Sequence, residues 1–599
     1  RYMSFETVPS LARLFFDQAS QRLDRPFLWD KKSGAWQSRS YDRVAADIRR
    51  LARGLIALGI TPGDRVALIS ENRPEWLIAD LAIMSIGAIS VPAFATNTAE
   101  DNRHVLTHSG AKGLITSNDT IAKRVLPAAL QSPDLQFIIS IDGLNFAQRL
   151  QCPILTWSEA LEKSGTVTEV DLVQRMEALQ RRDVCCFIYT SGTGGVPKGV
   201  MLTHGSILCN MQGAHKLLLE IGLGTEIFLS FLPLSHSYEH TAGQFLPISI
   251  GGQIYYAESV EKLVENMAEV RPTIMTAVPR LYEAVHQKIL RGLKTAKPLQ
   301  QRLFDLTLKL GRKRYEQPAS MTLADHVLNW VCDLTVRRKV KARFGGRLKA
   351  FVSGGAALNY EIGIFFIALG VRLLQGYGQT ECSPVITCNR PNRIRIDTVG
   401  PVFDGLAVKI AEDGEILVRG EAVMAGYWRD AEATAKTIQD GWLHTGDIGE
   451  FDTDGNLRIT DRKKDIIVLS GGDNVSPARV EGFLLLQPEI AQAMVHGDKH
   501  PHVVALIVPD EDFSKTWAAQ NNVDASGESL AADPHFHKLI SQSIDKVNHG
   551  LSAIERVRRF AILPEGFTID NGMLTPSLKI KRHKIREHWS SIISKLYEK

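Results

Sequence analysis

Eleven consecutive residues are Tyr189-Thr190-Ser191-Gly192-Thr193-Gly194-Gly195-Val196-Pro197-Lys198-Gly199. They overlap the end of the apolar run Val184–Thr190, which predicts a buried strand. Glycines let backbone N–H groups approach an anion without a Cβ in the way, hydroxyl groups add donors, and the lysine adds charge. We therefore interpret these residues, the phosphate loop, as a binding site for a polyphosphate.

The phosphate loop differs from two other glycine-rich nucleotide loops. A Walker A motif has Ser or Thr directly after its lysine, whereas Gly199 follows Lys198 here and Pro197 precedes it. The loop also lacks the G-x-G-x-x-G pattern of protein kinases. A flexible surface loop is the alternative interpretation, but flexibility alone does not require three hydroxyl groups and a lysine. Beyond the loop, Thr203 is suited to cap a helix.

Helical patterns alternate with short β-branched runs from about residue 8 to residue 420. This alternation is typical of βαβ layers with parallel strands, and the predicted strands include Arg65–Ile69, 273–277 and 349–353. Residues 405–419 and 450–460 instead predict short strands joined by Asp-Gly turns at 413–414 and 454–455. The final residues, to 599, have helix and strand patterns that predict a small α+β domain.

The composition is that of an ordinary globular protein. Hydrophobic residues make up 44% and charged residues 23% of the chain, which excludes disorder, collagen and coiled coil. The net charge of only +4 gives no reason to expect nucleic acid as a partner. Seven cysteines without a C-x-x-C pair favour a reducing cytoplasmic compartment, with thiols in the core, over a disulfide framework or a zinc site.

Two segments bear on membranes. A helix ending near Gly87 and a following buried strand explain the uncharged stretch 81–98 better than a membrane span does. Residues 288–349 contain 16 Lys and Arg against 4 Asp and Glu, a charge of +12. This basic segment is either a solvated amphipathic insert or a surface that meets anionic lipid or another polyanion. The opening residues lack the apolar core of a signal peptide, so we expect none.

The phosphate loop resembles that of the adenylate-forming, or AMP-binding, superfamily, which includes acyl-CoA synthetases, peptide-synthetase adenylation domains and firefly luciferase. Gly194 stands where the family usually has a second Thr, which removes one hydroxyl donor and keeps the backbone amides. The resemblance implies ATP binding by these loop residues: Thr190, Ser191, Gly192, Thr193, Gly194, Gly195 and Lys198.

Two motifs farther along resemble the family's adenine site. Residues 352–358, Val-Ser-Gly-Gly-Ala-Ala-Leu, resemble the loop that wraps the adenine. Residues 375–381, Gln-Gly-Tyr-Gly-Gln-Thr-Glu, resemble the motif whose tyrosine lies on the purine, and glycines on both sides of that tyrosine allow it to lie flat. The resemblance implies nucleotide contacts from Gly354, Gly355, Ala356, Gln375, Gly376, Tyr377, Gly378 and Gln379.

The resemblance also assigns the phosphates, the metal and the acyl pocket. It implies that Thr380 donates to the α-phosphate and that Glu381, together with Thr190, holds Mg²⁺, a hard cation that prefers oxygen ligands. Taken alone, Glu381 would be an ordinary surface carboxylate. Residues 231–236, Phe-Leu-Pro-Leu-Ser-His, resemble the motif beside the acyl pocket, although a lone histidine such as His236 is usually structural.

Residues 442–447 resemble the segment whose aspartate, here Asp447, accepts hydrogen bonds from both ribose hydroxyls. Arg462 matches the family's second ribose contact and Lys464 its hinge position, although by themselves both belong to a solvated charge cluster. The last motif implies that Lys579 approaches the reacting carboxylate, because Ser-Leu-Lys at 577–579 aligns with the usual Ser-Gly-Lys. Lys581 is the competing candidate.

A carboxylate becomes a good acyl donor when it attacks the α-phosphate of ATP, because AMP then leaves readily from the acyl-adenylate. The resemblance implies that Mg²⁺ and lysines stabilise the charge on the phosphates. It further implies that a small domain swings about Lys464, withdraws Lys579 and brings Gly471 and Gly472 to the coenzyme A tunnel. The predicted catalytic residues are Lys579, Lys198, His236 and Glu381.

The patterns and the resemblance together predict an α/β fold. We expect a large N-terminal domain, residues 1–461, of layered βαβ subdomains with a small β-barrel-like subdomain. Residues 462–599 are expected to form a small, mobile α+β lid domain.

The wider pattern is similar to the long-chain fatty acyl-CoA synthetase branch, through residues 271–283, the basic segment, and residues 461–465 and 471–477. Two positions depart from this pattern. His240 stands where many members have Arg, and Arg479 replaces a frequent acidic residue. Residues 243–256 are compatible with an acyl tunnel or with ordinary core packing. The expected co-substrates are fatty acid, ATP and coenzyme A, with Mg²⁺ as the metal ion. We also expect peripheral contact with an anionic membrane through residues 288–349. A homodimer is one compatible arrangement of the chain.

Several other functions stay open or disfavoured. A fatty acyl-AMP ligase that serves a carrier protein is the main alternative, followed by an aryl or bile-acid CoA ligase, and luciferase-like oxidation is not excluded by the motifs. A peptide-synthetase adenylation domain is disfavoured because His236 occupies the area of the expected amino-acid-binding Asp. A non-catalytic scaffold is disfavoured because Lys579, Glu381 and Asp447 are all present.

Overall fold

The computed structural model describes residues 5–145, 152–190, 196–354, 358–576 and 578–598. The fold is α/β, as predicted, with two eight-stranded sheets and a five-stranded sheet before residue 463 and a smaller α+β part after it. The predicted strands Arg65–Ile69 and Val184–Thr190 have the expected bounds, while those expected at 273 and 349 each begin one residue later.

The strands are, in chain order, β1 (Pro26–Lys32), β2 (Ala35–Ser40), β3 (Arg65–Ile69), β4 (Ile89–Ala93), β5 (Gly113–Thr116), β6 (Phe137–Ser140), β7 (Ile154–Thr156), β8 (Val184–Thr190), β9 (Lys198–Thr203), β10 (Ile227–Ser230), β11 (Gln253–Tyr256), β12 (Ile274–Ala277), β13 (Ala350–Ser353), β14 (Leu373–Gly378), β15 (Val385–Cys388), β16 (Leu406–Ile410), β17 (Glu415–Gly420), β18 (Gly426–Tyr427), β19 (Ile438–Gln439), β20 (Trp442–Phe451), β21 (Leu457–Arg462), β22 (Ile467–Val468), β23 (Asn474–Val475), β24 (Ile490–His496), β25 (Val503–Pro509) and β26 (Val557–Ile562).

The α-helices are α1 (Leu11–Arg22), α2 (Tyr41–Ala57), α3 (Pro74–Ser85), α4 (Ala99–Ser109), α5 (Asp119–Leu130), α6 (Trp157–Glu162), α7 (Glu169–Glu177), α8 (His204–Ile221), α9 (Leu246–Ser249), α10 (Leu263–Val270), α11 (Pro279–Lys294), α12 (Pro298–Glu316), α13 (Leu323–Cys332), α14 (Arg338–Arg343), α15 (Tyr360–Ala368), α16 (Ala431–Thr437), α17 (Pro477–Leu484), α18 (Glu511–Gln520), α19 (Gly527–Ala532), α20 (Pro534–His549), α21 (Arg582–His588) and α22 (Ser590–Tyr597). Short 3₁₀ turns occupy Lys163–Thr166, Pro318–Ser320 and Thr380–Cys382, and π-helical turns occupy Glu239–Phe245 and Asp333–Arg337.

The two large sheets are parallel in their centres. The first has the order β18-β9-β8-β4-β3-β5-β6-β7, and the second β15-β14-β13-β12-β10-β11-β1-β2. Antiparallel pairs lie at the edges, where β8 pairs with β9 and β14 with β15. In open α/β sheets, ligands bind beyond the carboxyl ends of the strands. Thr190, at the end of β8, and Tyr377, near the end of β14, occupy such positions.

The five-stranded sheet is built from antiparallel strands with the order β16-β17-β20-β19, and β21 pairs with β20. Gly414 and Gly455 have φ values of +87° and +82°, a region that favours glycine, which explains the predicted Asp-Gly turns. The pairing of β20 with β21 sets Asp447 opposite Arg462. The structure therefore brings the two predicted ribose contacts together in one register.

The final part has a three-stranded sheet, β24-β25-β26, and contacts the larger part through α11. Gln287 Nε2 donates to the carbonyl oxygen of Ile490 at 2.6 Å, and Arg291 pairs with Asp510 at 2.7 Å and with Asp512 at 3.0 Å. These contacts hold the C-terminal part over the carboxyl ends of the large sheets, where the site lies.

The cysteines are free thiols, as expected, and six of the seven are buried. Among the helices that the structure describes, none combines the length and the apolar character that a membrane crossing requires.

Candidate active site

One large cavity, of about 2050 Å³, lies between the two parts of the chain. Its walls contain the ends of β8 and β14, the strands β20 and β21, and the segment around Lys579. It thus collects most of the predicted site residues that the structure describes. The predicted residues Ser191, Gly192, Thr193, Gly194, Gly195, Gly355 and Ala356 lie outside the described part of the chain.

The phosphate loop connects two paired strands. Thr190 ends β8 and lies opposite Lys198, the first residue of β9, and both line the cavity. Lys198 Nζ donates to Asp430 Oδ2 at 2.8 Å and lies 5.7 Å from the centre of the Tyr427 ring. The lysine is therefore held at the cavity by a carboxylate with which an anionic ligand would compete.

Two histidines on α4 bind the flanks of the phosphate loop. His104 Nε2 lies 2.8 Å from the carbonyl oxygen of Pro197, which accepts a hydrogen bond from it. His108 Nδ1 lies 2.8 Å from the hydroxyl of Tyr189. The two rings stack with centroids 5.1 Å apart. Because each flank is bonded to the same helix, α4 fixes the position at which the loop leaves and rejoins the sheet.

The predicted purine tyrosine lies next to the predicted ribose carboxylate. The hydroxyl of Tyr377 donates to Asp447 Oδ2 at 2.5 Å, and Gln379 Nε2 donates to the carbonyl oxygen of Thr445 at 3.1 Å. A Cβ on Gly378 would come within 1.9 Å of the carbonyl oxygen of Pro384, so only glycine fits there. Gly354, Gly376 and Thr380 also line the cavity.

Glu381 is held in the cavity by a residue that the motifs did not identify. The hydroxyl of Tyr427 donates to Glu381 Oε1 at 2.8 Å. Burial raises the pKa of Glu381, and the Tyr427 hydrogen bond partly counters this effect. Glu381 and Thr190 both line the cavity and offer hard oxygen ligands, which fits the predicted Mg²⁺. Across the described residues, no three His, Cys, Asp or Glu side chains form a metal cluster, so phosphate oxygens and water would complete the coordination.

Lys579 lies in the same charged environment as Asp447 and Arg462. Arg462 Nε is 3.7 Å from Asp447 Oδ1. Burial, followed by the nearby Arg462, lowers the pKa of Lys579 to about 8, and Asp447 counteracts the shift. Burial raises the pKa of Asp447, and the hydrogen bond from Tyr377 and the charges of Arg462 and Lys579 only partly counter this rise. An ammonium beside a guanidinium makes this a place where a bound anion gains stabilisation.

His236 is neutral in this site. Burial, and secondarily Lys579, lower the pKa of His236 to about 4. Its Nδ1 accepts a hydrogen bond from the Tyr238 N–H at 3.2 Å, so the neutral ring carries its proton on Nε2. His236 lines the cavity and can therefore act as a hydrogen-bond donor there, but not as a cation, near pH 7.

The cavity continues into an apolar region between α8 and the second large sheet. Its lining there consists of small and aliphatic side chains with one phenylalanine and one thiol: Ala214, Leu217, Leu218, Ala242, Leu246, Val352, Val385, Cys388 and Phe403. Burial raises the pKa of the Cys388 thiol to about 12. The residues that line this region come partly from the π-helical turn Glu239–Phe245 and from α9.

Three predicted residues are not brought to the cavity. Gln375 is buried behind the wall, where its carbonyl oxygen accepts from Asn389 N–H at 2.9 Å. Gly471 and Gly472 are exposed between β22 and β23 and do not line the cavity. Lys464, the predicted hinge residue, does line it.

Sequence reasoning missed Tyr427 and Asp430, which hold Glu381 and Lys198. Tyr427 ends β18 and Asp430 caps the start of α16, and their partners lie 46 and 232 residues away in the chain. Two adjacent aromatic residues after a glycine were the only local signal. Arg280 and Glu283, at the start of α11, also line the cavity and were noted only as part of a resemblance.

Comparison with known proteins identifies the family to which the chain is similar. Residues 15–428 match the model of the AMP-binding enzyme family, and residues 464–599 match its C-terminal domain. A long-chain-fatty-acid–CoA ligase of Mycobacterium bovis, FadD15, is 36% identical over 581 residues, which cover 94% of this chain and 93% of the relative. The peroxisomal long chain acyl-CoA synthetase 6 of Arabidopsis thaliana is 29% identical and covers 95% of this chain and 83% of its own.

Solved structures share the fold at lower identity. The adenylation domain of a carboxylate reductase from Mycobacterium chelonae has a TM-score of 0.75 at 21% identity, covering 98% of this chain and 91% of that chain. An anthranilate CoA ligase, AuaEII, solved with anthranoyl-AMP, has a TM-score of 0.73 at 20% identity, covering 99% and 100%.

Proposed function

The chain belongs to the AMP-binding enzyme family, and from this premise we propose that it is an ATP-dependent long-chain fatty acid:CoA ligase. It converts a fatty acid and ATP to an acyl-adenylate and pyrophosphate, and then transfers the acyl group to coenzyme A with release of AMP. The observation that carries this proposal is the large cavity, in which Lys579, Asp447 and Lys198 surround one end and apolar side chains line the other. A fatty acid bound there has its carboxylate beside the nucleotide.

The residues of the charged end have separate roles. Asp447 and Arg462 bind the ribose, and Tyr377 lies against the purine. Lys579 bonds the reacting carboxylate and the α-phosphate, where negative charge gathers as the P–O bond to pyrophosphate breaks. His236, with its proton on Nε2, donates to the same carboxylate region.

The pyrophosphate end uses the phosphate loop. Lys198 leaves Asp430 to bind the β- and γ-phosphates, because a polyphosphate carries more charge than one carboxylate. Glu381 and Thr190 would hold Mg²⁺. Bound Mg²⁺ supplies charge neutralisation on the phosphate oxygens.

The thioester step requires another arrangement of the C-terminal part. Gly471 and Gly472 are exposed in the present arrangement, so a rotation about Lys464 has to bring them to the pantetheine arm. Lys579 leaves the cavity in the same movement. Domain rotations of this kind serve as gates between two steps.

The test is AMP formation by purified protein with ATP, Mg²⁺ and a series of fatty acids, with and without coenzyme A. Turnover that requires coenzyme A and is highest with long chains is expected. Stoichiometric adenylate without turnover on coenzyme A would favour a fatty acyl-AMP ligase instead. No AMP with any fatty acid would refute the substrate assignment.

A second proposal concerns the membrane partner of the basic segment. Four apolar side chains on α13 and the π-helical turn after it follow a helical spacing of four, three and four residues, and they are 86%, 61%, 62% and 50% exposed: Leu323, Val327, Trp330 and Leu334. Exposed basic residues follow in α14, and residues 288–349 together carry +12. An apolar stripe with a tryptophan beside a basic surface fits the interface of an anionic bilayer.

Vesicle sedimentation tests this α13 face. Wild-type protein should pellet with vesicles that contain phosphatidylglycerol, and much less with phosphatidylcholine alone. Leu323→Glu with Val327→Glu should abolish pelleting, whereas Val170→Glu should not, although Val170 is 63% exposed on α7. Equal pelleting of all three proteins would refute the proposal. A loss of dimers in the double variant, measured by light scattering, would instead assign the face to a homodimer.

A further inference from the structure

The π-helical turn Glu239–Phe245 forms part of the cavity wall and is wholly buried. Ala242 in this turn and Leu246 directly after it line the apolar end of the cavity. A π-helical turn closes wider hydrogen-bonded rings than an α-helix and is rare. Its side-chain partners therefore determine whether the wall keeps this shape.

Asp80, on α3, binds the turn from behind. His240 Nε2 lies 2.7 Å from Asp80 Oδ2, and Gln244 Nε2 donates to the same oxygen at 2.9 Å. All three side chains have 0% exposure. Asp80 Oδ2 therefore holds the side chains of His240 and Gln244. The residues two positions farther along, Ala242 and Leu246, line the cavity.

A second carboxylate holds the start of the turn. Glu239 accepts hydrogen bonds from Ser230 Oγ at 2.9 Å and from Thr276 Oγ1 at 2.6 Å. Its side chain folds over Gly243, where a Cβ would come within 1.7 Å of Glu239 Oε1. The turn is thus bonded to the second large sheet through Glu239 and to α3 through Asp80.

Several buried polar atoms around Asp80 already lack a hydrogen-bond partner in the described part of the chain. The atoms Asp80 Oδ1, His240 Nδ1, Gln244 Oε1 and Trp76 Nε1 have no hydrogen-bond partner among the described residues. Removal of the Asp80 carboxylate would leave His240 Nε2 and Gln244 Nε2 as further unpaired buried groups, which is unfavourable in this apolar place. We therefore expect a change at Asp80 to shift the turn toward other hydrogen-bond partners.

We propose that Asp80 is a positioning residue that sets which acyl chains the enzyme accepts, because it fixes the cavity wall through His240 and Gln244. This inference rests on the proposed function, since it concerns the acyl part of the substrate. It does not involve the nucleotide, whose contacts come from the charged end of the cavity.

The test compares kcat/KM over a homologous series of saturated fatty acids for Asp80→Leu, Asp80→Asn and Gln244→Met. We expect Asp80→Leu and Gln244→Met to change the ratio between the longest and the shortest accepted chain by about tenfold. The KM for ATP should stay within about twofold of wild type. Asp80→Asn keeps an acceptor oxygen and should lie between these variants and wild type.

Thr307→Val is the control, because Thr307 is equally buried and its Oγ1 donates to the carbonyl oxygen of Leu303 at 2.7 Å within α12, a helix that does not line the cavity. It should retain the wild-type chain-length profile even where it lowers the melting temperature. If Asp80→Leu does not fold, Gln244→Met decides the question.

Two results would overturn this inference. One is an unchanged chain-length ratio in the variants, and the other is an equal change in KM for ATP and for fatty acid. Both require an active wild-type enzyme. A wild-type protein inactive with every fatty acid would refute the proposed function first, and this inference with it.

Discussion

The lowered pKa of Lys579 predicts a high-pH limit on adenylation. The pKa falls from the usual 10.5 to about 8, chiefly because burial disfavours the charged form. This difference corresponds to about 3 kcal/mol between the two protonation states. In the proposed reaction the ammonium is the form that binds the carboxylate and the α-phosphate, so we expect activity below pH 8 and its loss above that pH. At pH 9 about one molecule in ten retains the proton, and each further pH unit lowers the rate about tenfold.

The assay is fatty-acid-dependent exchange of pyrophosphate into ATP, which isolates the first half-reaction. The value of kcat/KM is measured from below pH 8 to above pH 9. Lys579→Arg keeps its charge throughout, so it should lower the activity and remove the high-pH limb. Lys581→Arg, at the competing position, should retain the wild-type limb. A limb of unchanged midpoint in Lys579→Arg would refute the reasoning, because another group would then titrate.

Three further predictions follow from the contacts around the cavity. Tyr427→Phe removes about 1 kcal/mol of hydrogen bonding from Glu381, so the Mg²⁺ concentration for half-maximal activity should rise about fivefold; an unchanged Mg²⁺ titration would contradict this role. Asp430→Asn keeps its helix cap but releases Lys198, so the KM for ATP should fall about threefold in steady-state kinetics, and a rise would contradict it. Arg291→Ala removes ion pairs between the two parts of the chain and should slow pyrophosphate exchange about threefold without slowing thioester formation from added acyl-adenylate; equal slowing of both steps would count against it.

Local sequence patterns predicted the sheets well, because β8 and β3 are apolar runs with clear ends. The Asp-Gly turns were equally predictable, since Gly414 and Gly455 have backbone angles that glycine favours. The family motifs located Tyr377 and Asp447, but not that their side chains bond to each other. Such contacts depend on how separate elements meet, and no single stretch of sequence encodes them.

The buried residues that hold the cavity wall from behind, such as Asp80, were the least predictable. Every residue of α3 is buried, so the helix has no polar face that would mark Asp80 as unusual. Its partner His240 lies 160 residues away. A buried carboxylate is recognisable only when the surrounding elements are assembled, because its significance lies in which donors surround it.

The thiol of Cys388 has a consequence for the fidelity of acyl transfer. An acyl-adenylate is a strong electrophile, and in the proposed reaction it forms in a cavity that this thiol lines. With a pKa of about 12, only about one Cys388 side chain in 10⁵ is a thiolate at pH 7. The apolar wall therefore disfavours acylation of this thiol, which leaves the activated chain for an external sulfur nucleophile.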